Sequence, residues 1–136
     1  MIGFDTNVML RIIVKDDPAQ TAIALALLDR TEAAGESIFL SDMVLCELAW
    51  TLRAAYKKPD REIAAVFRAL ADTDDLRFES PERLDKTIKS YGRGHGDFSD
   101  YFIRERAIEA GCRKVITFDK ALLREPGFIE PEGYKP

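Results

Sequence analysis

The chain has 136 residues, 46% of them hydrophobic and 32% charged, with a formal net charge of -4. These values fit one ordinary globular domain spanning residues 1–136 and exclude a disordered or fibrous chain. The negative balance excludes a nucleic-acid binder that works only through a broad basic face, but it admits an enzyme whose positive charge is a bound metal ion.

No apolar run is long enough to span a bilayer. The opening MIGFDTNVMLRIIVKDD is interrupted by Asp5 and Arg11, with no basic region before it, so it does not read as a signal peptide and a cytoplasmic location is expected. Cys46 and Cys112 lie far apart, without a CxxC pair or a histidine at zinc spacing; they are expected to be buried, reduced thiols. His95 stands between Gly94 and Gly96 in an expected loop and lacks a partner for triad chemistry.

Ile2 to Phe4 reads as a short buried strand ending in the polar triplet Asp5-Thr6-Asn7. Asp17-Pro18 is an N-cap followed by proline at N1, opening a helix that stops before Gly35. Residues 37–42 form a second expected strand. Residues 43–58 carry apolar side chains at helical intervals up to Pro59, and Asp60 to Ala71 repeats the pattern. LRFES, 76–80, is a third strand, and Ser80-Pro81 caps a helix that should reach Tyr91, where Gly92, Gly94 and Gly96 break it. A further helix is expected from Ser99 to Ala110 with Gly111 at C′, then a strand over RKVITFD, 113–119. The proline-rich tail reads as an edge strand or loose end. Strands alternating with helices predict an α/β fold with a mainly parallel sheet.

In such a sheet, functional groups collect beyond the carboxyl ends of the strands. Asp5 and Asp119 fall at two strand exits. Glu47 stands about one turn into the helix that leaves the second strand, between Cys46 and Leu48, where an isolated carboxylate would be costly to bury. Asp97 and Asp100 open the helix before the last strand; at i and i+3 they share a face and also fit a capping-box pair, so one can cap while the other reaches a ligand. Gathered carboxylates raise each other's pKa and call for a compensating cation. An oxygen-only donor set suits Mg²⁺ or Mn²⁺, and such a centre suggests phosphodiester hydrolysis by metal-activated water. Asn7 fits either a local hydrogen bond or a support for Asp5, and Thr117 either a plain β-branched strand residue or a hydroxyl on the same side as Asp119.

Three stretches carry a family resemblance: FDTNVMLR, SDMVLCELAWTL and GDFSDYFIRERAIEAGCRKVITFDKAL. They resemble the PIN-domain ribonucleases, in particular the VapC-type toxins of type II toxin-antitoxin pairs. The likeness implies a single three-layer α/β/α domain with Asp5, Glu47, Asp100 and Asp119 at its four acidic positions and Asp97 as an additional acid. It further implies Mg²⁺-dependent endoribonuclease activity, homodimerisation, and inhibition by a cognate VapB-type antitoxin. Arg53, Lys57, Lys58, Arg104 and Arg106 are then candidates for contacts with RNA or antitoxin, against their ordinary role as a solvated helix face.

Two alternatives use the same residues. A phosphatase of the haloacid dehalogenase type would need a second acid where Asn7 stands. A non-catalytic, cation-binding, receiver-like module could use Asp5, Thr117 and Lys120, but it lacks an acidic pair at the first strand end and leaves Glu47 unexplained.

Overall fold

The computed structural model describes residues 1–136. In chain order the elements are β1 (Ile2–Gly3), α1 (Thr6–Ile13), α2 (Pro18–Ala33), β2 (Ile38–Leu40), α3 (Asp42–Ala54), α4 (Asp60–Ala71), β3 (Leu76–Phe78), α5 (Pro81–Tyr91), α6 (Phe98–Glu109), β4 (Val115–Ile116) and β5 (Phe128–Ile129). Strands β1, β2 and β3 form a parallel sheet in that order, with Ile2 opposite Ile38 and Ile38 opposite Leu76. The α/β architecture with parallel strands is therefore as the sequence predicts. No helix is long and apolar enough to cross a membrane.

Helix α1 is absent from the sequence expectation. Asp5 leaves β1 in an extended conformation and its Oδ1 accepts the Val8 N–H at 2.9 Å, which satisfies one of the orphan donors of the first turn. Met9 and Leu10 then face the core, each 3% exposed. The helix stops at Val14, because Lys15 turns left-handed at φ 60°. Arg11 ties its far end to the next helix through Gln20 (2.6 Å) and Asp16 (2.8 Å).

Two expected boundaries also move. Helix α3 ends at Ala54 rather than 58, since Lys57 adopts φ 55° ahead of Pro59. The strand expected over 113–119 contracts to Val115–Ile116, and its hydrogen-bonded neighbour is the tail strand β5, with Val115 opposite Phe128. The pairing ends at Thr117, whose N–H donates to the Ile129 carbonyl at 3.0 Å.

The main core runs from Phe4 through Leu40, Leu45, Leu48 and Phe67 to Tyr101 and Phe102. Its aromatic part decides where α6 begins. Phe98 stacks on Phe67 at 4.1 Å between ring centroids, meets Tyr91 edge-on at 5.9 Å and lies 5.5 Å from Phe102. With Phe98 only 2% exposed, the acids on either side of it are fixed in place by packing.

Candidate active site

Asp97 is the N-cap of α6 and Asp100 its N3 residue, and Asp100 Oδ2 reaches back to accept the Asp97 N–H at 2.8 Å. The Asp97 carboxylate forms an ion pair with Arg53 of α3. The glycine-rich segment before α6 wraps closely over Tyr101. The Gly96 N–H donates to the Tyr101 hydroxyl at 2.9 Å, and a Cβ at Gly94 would collide with that same oxygen. Glu125 closes the wrap, accepting from Tyr101 Oη (3.0 Å) and from the His95 N–H (2.7 Å).

Asp119 stands beyond β4. Its N–H donates to Thr117 Oγ1 at 3.0 Å, while its Oδ1 accepts the Ala121 N–H at 2.9 Å. The Thr117 hydroxyl and Asp119 thus share one local turn. Burial raises the pKa of Asp100 above the ordinary carboxylate value, the Asp119 charge raises it further, and Arg53 offsets part of this. The two acids are therefore close enough to repel.

Asp5, Asp100 and Asp119 each spend one carboxylate oxygen on a backbone N–H. Neither an ion pair nor a hydrogen bond occupies the other oxygen of any of them. This donor set suits a hard cation that is held by one or two carboxylates and keeps several waters. No three of the His, Cys, Asp and Glu side chains stand close enough together to hold an ion by themselves. Asp5 and Asn7 line a groove between α1 and α2 with Val8 and Arg11. Asp5 is held there by the Val8 amide rather than by Asn7.

Several other residues sit differently from expectation. Glu47 is exposed on α3, one turn before Trp50 on the same face, so no burial cost sets it apart. Cys46 is half-buried and burial pushes its thiol pKa up, whereas Cys112, expected to be buried, is exposed. Arg104 is buried at 6% exposure, with its donors on Ser90 (2.7 Å), Glu105 (2.9 Å) and the Pro126 carbonyl (3.1 Å). Lys57 and Arg53 are exposed. Arg106 pairs with Asp42 at 2.6 Å.

A model of the PIN domain family matches residues 2–128. The chain belongs to the PIN domain family. Among curated relatives of this PIN domain, the VapC ribonuclease of Aquifex aeolicus (strain VF5) is 23% identical over 131 residues, which span 96% of each chain. Sequence reasoning missed the Arg53–Asp97 pair and the buried group around Asp42 and Arg83. The first had a signal in a cation on the helix that also bears Glu47. The second had none, since its members are scattered across three helices.

Proposed function

We propose that this PIN domain is a metal-dependent endoribonuclease, the toxin of a VapBC-type pair, acting in the cytoplasm. The observation that carries the reading is that Asp5, Asp100 and Asp119 each have one carboxylate oxygen fixed by a backbone N–H and the other left without a hydrogen bond or ion pair. Asp5, Glu47, Asp100 and Asp119 are the residues proposed to hold Mg²⁺, with Mn²⁺ as a substitute. When bound, the ion lowers the pKa of the attacking water and steadies the charge that develops on the phosphate.

The chain's own groups prepare that centre. The Asp97 N–H holds Asp100 Oδ2 and the Ala121 N–H holds Asp119 Oδ1, so each carboxylate presents its second oxygen without having to freeze a free side chain on binding. Thr117 braces the Asp119 backbone. Arg53 supplies positive charge beside the acids for an anionic substrate. A VapB-type antitoxin would silence the toxin by covering this rim, and a homodimer is the proposed assembly. Both alternatives are weaker here, because the phosphatase lacks its second acid at Asn7 and a receiver-like module leaves the Asp97–Asp100 arrangement without a role.

The test is cleavage of mixed cellular RNA by purified protein with Mg²⁺ or Mn²⁺, with EDTA, and by the Asp5→Asn and Asp100→Asn variants. Removing one metal-binding carboxylate should cost about 100-fold or more in rate. Cleavage that persists in EDTA and in both variants refutes the proposal.

A further inference from the structure

The chain's single tryptophan is not in the core. Trp50 is 66% exposed on α3, which forgoes one of the larger hydrophobic contributions a side chain can make. It joins none of the aromatic pairs, all of which gather on Phe98. What Trp50 does line is a cavity of about 130 Å³ between α3 and the start of α6, which it shares with Arg53, Asp97, Ser99 and Asp100. A large flat ring therefore stands in the same depression as a proposed metal-binding carboxylate. Arg53 lies one helical turn further along α3, half-exposed, with Asp97 as its ion-pair partner.

A flat aromatic surface and a guanidinium beside a proposed metal-binding carboxylate match the chemistry of a nucleotide. Bases stack on aromatic faces whatever their sequence, and guanidinium groups bind phosphate oxygens in pairs. A base inside a duplex has both faces covered and cannot enter; an unpaired base can. We propose that Trp50 is the stacking platform for an unpaired base next to the scissile phosphate, with Arg53 on the adjoining phosphate. This rests on the ribonuclease reading above.

The same exposure invites a different occupant, a protein surface docked on α3. Met43, two turns before Trp50 on the same face, is 80% exposed but lies outside the cavity. It separates the two readings. A protein docked on α3 would need both side chains; a stacked base needs Trp50 alone.

Because Trp50 is the only tryptophan, its fluorescence reports on stacking directly. The experiment titrates the intact protein with an end-labelled, unstructured oligoribonucleotide and with its duplex in Ca²⁺, whose looser coordination does not impose the octahedral geometry of Mg²⁺. Label anisotropy reads binding and Trp50 emission reads stacking. Cleavage is followed separately in Mg²⁺.

The single strand should quench Trp50 saturably, in step with binding, and the duplex should not. Trp50→Ala should weaken single-strand binding and raise KM about tenfold or more, Trp50→Phe should recover most of that loss, and kcat should change by less than about threefold. Met43→Ser should leave both unchanged. RNA that is bound and cut while Trp50 emission stays constant overturns the stacking role and leaves the nuclease reading intact. RNA that is neither bound nor cut overturns the nuclease reading, and this inference with it. Equal defects in Met43→Ser and Trp50→Ala, with a change in sedimentation of the protein, assign α3 to a docked chain instead.

Discussion

Two acidic regions of the molecule treat their carboxylates in opposite ways. At the start of α3, Asp42 is 6% exposed and its Oδ2 accepts from Arg83 at 2.5 Å and from Arg106 at 2.6 Å, while its N–H donates to Glu79 at 3.1 Å. Arg83 continues the chain of alternating charge to Glu109. Burial works against the Arg83 charge, yet its hydrogen bonds with Asp42 and Glu109 leave its pKa raised. At the start of α6, Asp100 meets another carboxylate, and burial and repulsion push its pKa up. The first region supplies its own counter-charge and so joins three helices. In the second, Arg53 pairs with Asp97 and offsets only part of the charge on Asp100, and the remaining deficit is what equips it to take a cation or substrate from outside.

The contrast can be broken most severely at Arg83. Arg83→Met leaves Asp42 buried with a single, largely exposed partner, and should destabilise the fold by about 3–5 kcal/mol in urea unfolding, with no specific effect on metal affinity. The second effect belongs to the other region. Mg²⁺ at about 100 times its Kd should stabilise the protein by about 2.7 kcal/mol, and an Asp100→Asn, Asp119→Asn double variant should lose that gain in thermal melts. Arg106→Ala comes third, because its side chain is 57% exposed and Arg83 stays in place. Its cost should be about 1 kcal/mol or less by the same urea measurement.

The smallest effect tests the sign of the repulsion. A raised pKa in the fold means that ionising Asp100 opposes folding; the penalty is absent below the ordinary carboxylate value of about 3.9 and complete once pH exceeds the raised one. Asp100→Asn keeps an oxygen to accept the Asp97 N–H, so without metal it should melt slightly higher than the parent at neutral pH. That advantage should disappear near pH 3.5. A variant that melts lower at neutral pH would show that Arg53 outweighs Asp119 there.

Helices that carry strong start signals were legible. Asp17-Pro18 and Ser80-Pro81 open α2 and α5 as expected, with Asp17 accepting from Gln20 at 3.0 Å and Ser80 from Arg83 at 3.1 Å. Asp97 and Asp100 were legible for the same reason, since capping-box spacing is local. Helix α1 was not, because an aspartate can serve a turn or an N-cap, and Val8, Ile12, Ile13 and Val14 are β-branched residues of weak helix propensity. Burial of Met9 and Leu10 decides in favour of the helix. The rim was legible as a list of acids but not as distances. Only the folded chain shows Asp119 beside Asp100, Asp5 on the groove between α1 and α2, and Glu47 in solvent.

The wrap over Tyr101 has a consequence for how this chain can diverge. Gly94 has no room for a side chain while the Tyr101 hydroxyl is there, Gly96 needs that hydroxyl for its N–H, and Glu125 needs both the hydroxyl and the His95 amide. None of the four can be exchanged alone without leaving a collision or a stranded polar atom at the base of α6. Across relatives, positions 94, 101 and 125 should drift as a unit, so that a lineage without the tyrosine and the glutamate is also free of Gly94, whereas Gly96 stays held by Leu122, whose Cδ2 would lie 2.6 Å from a Cβ there.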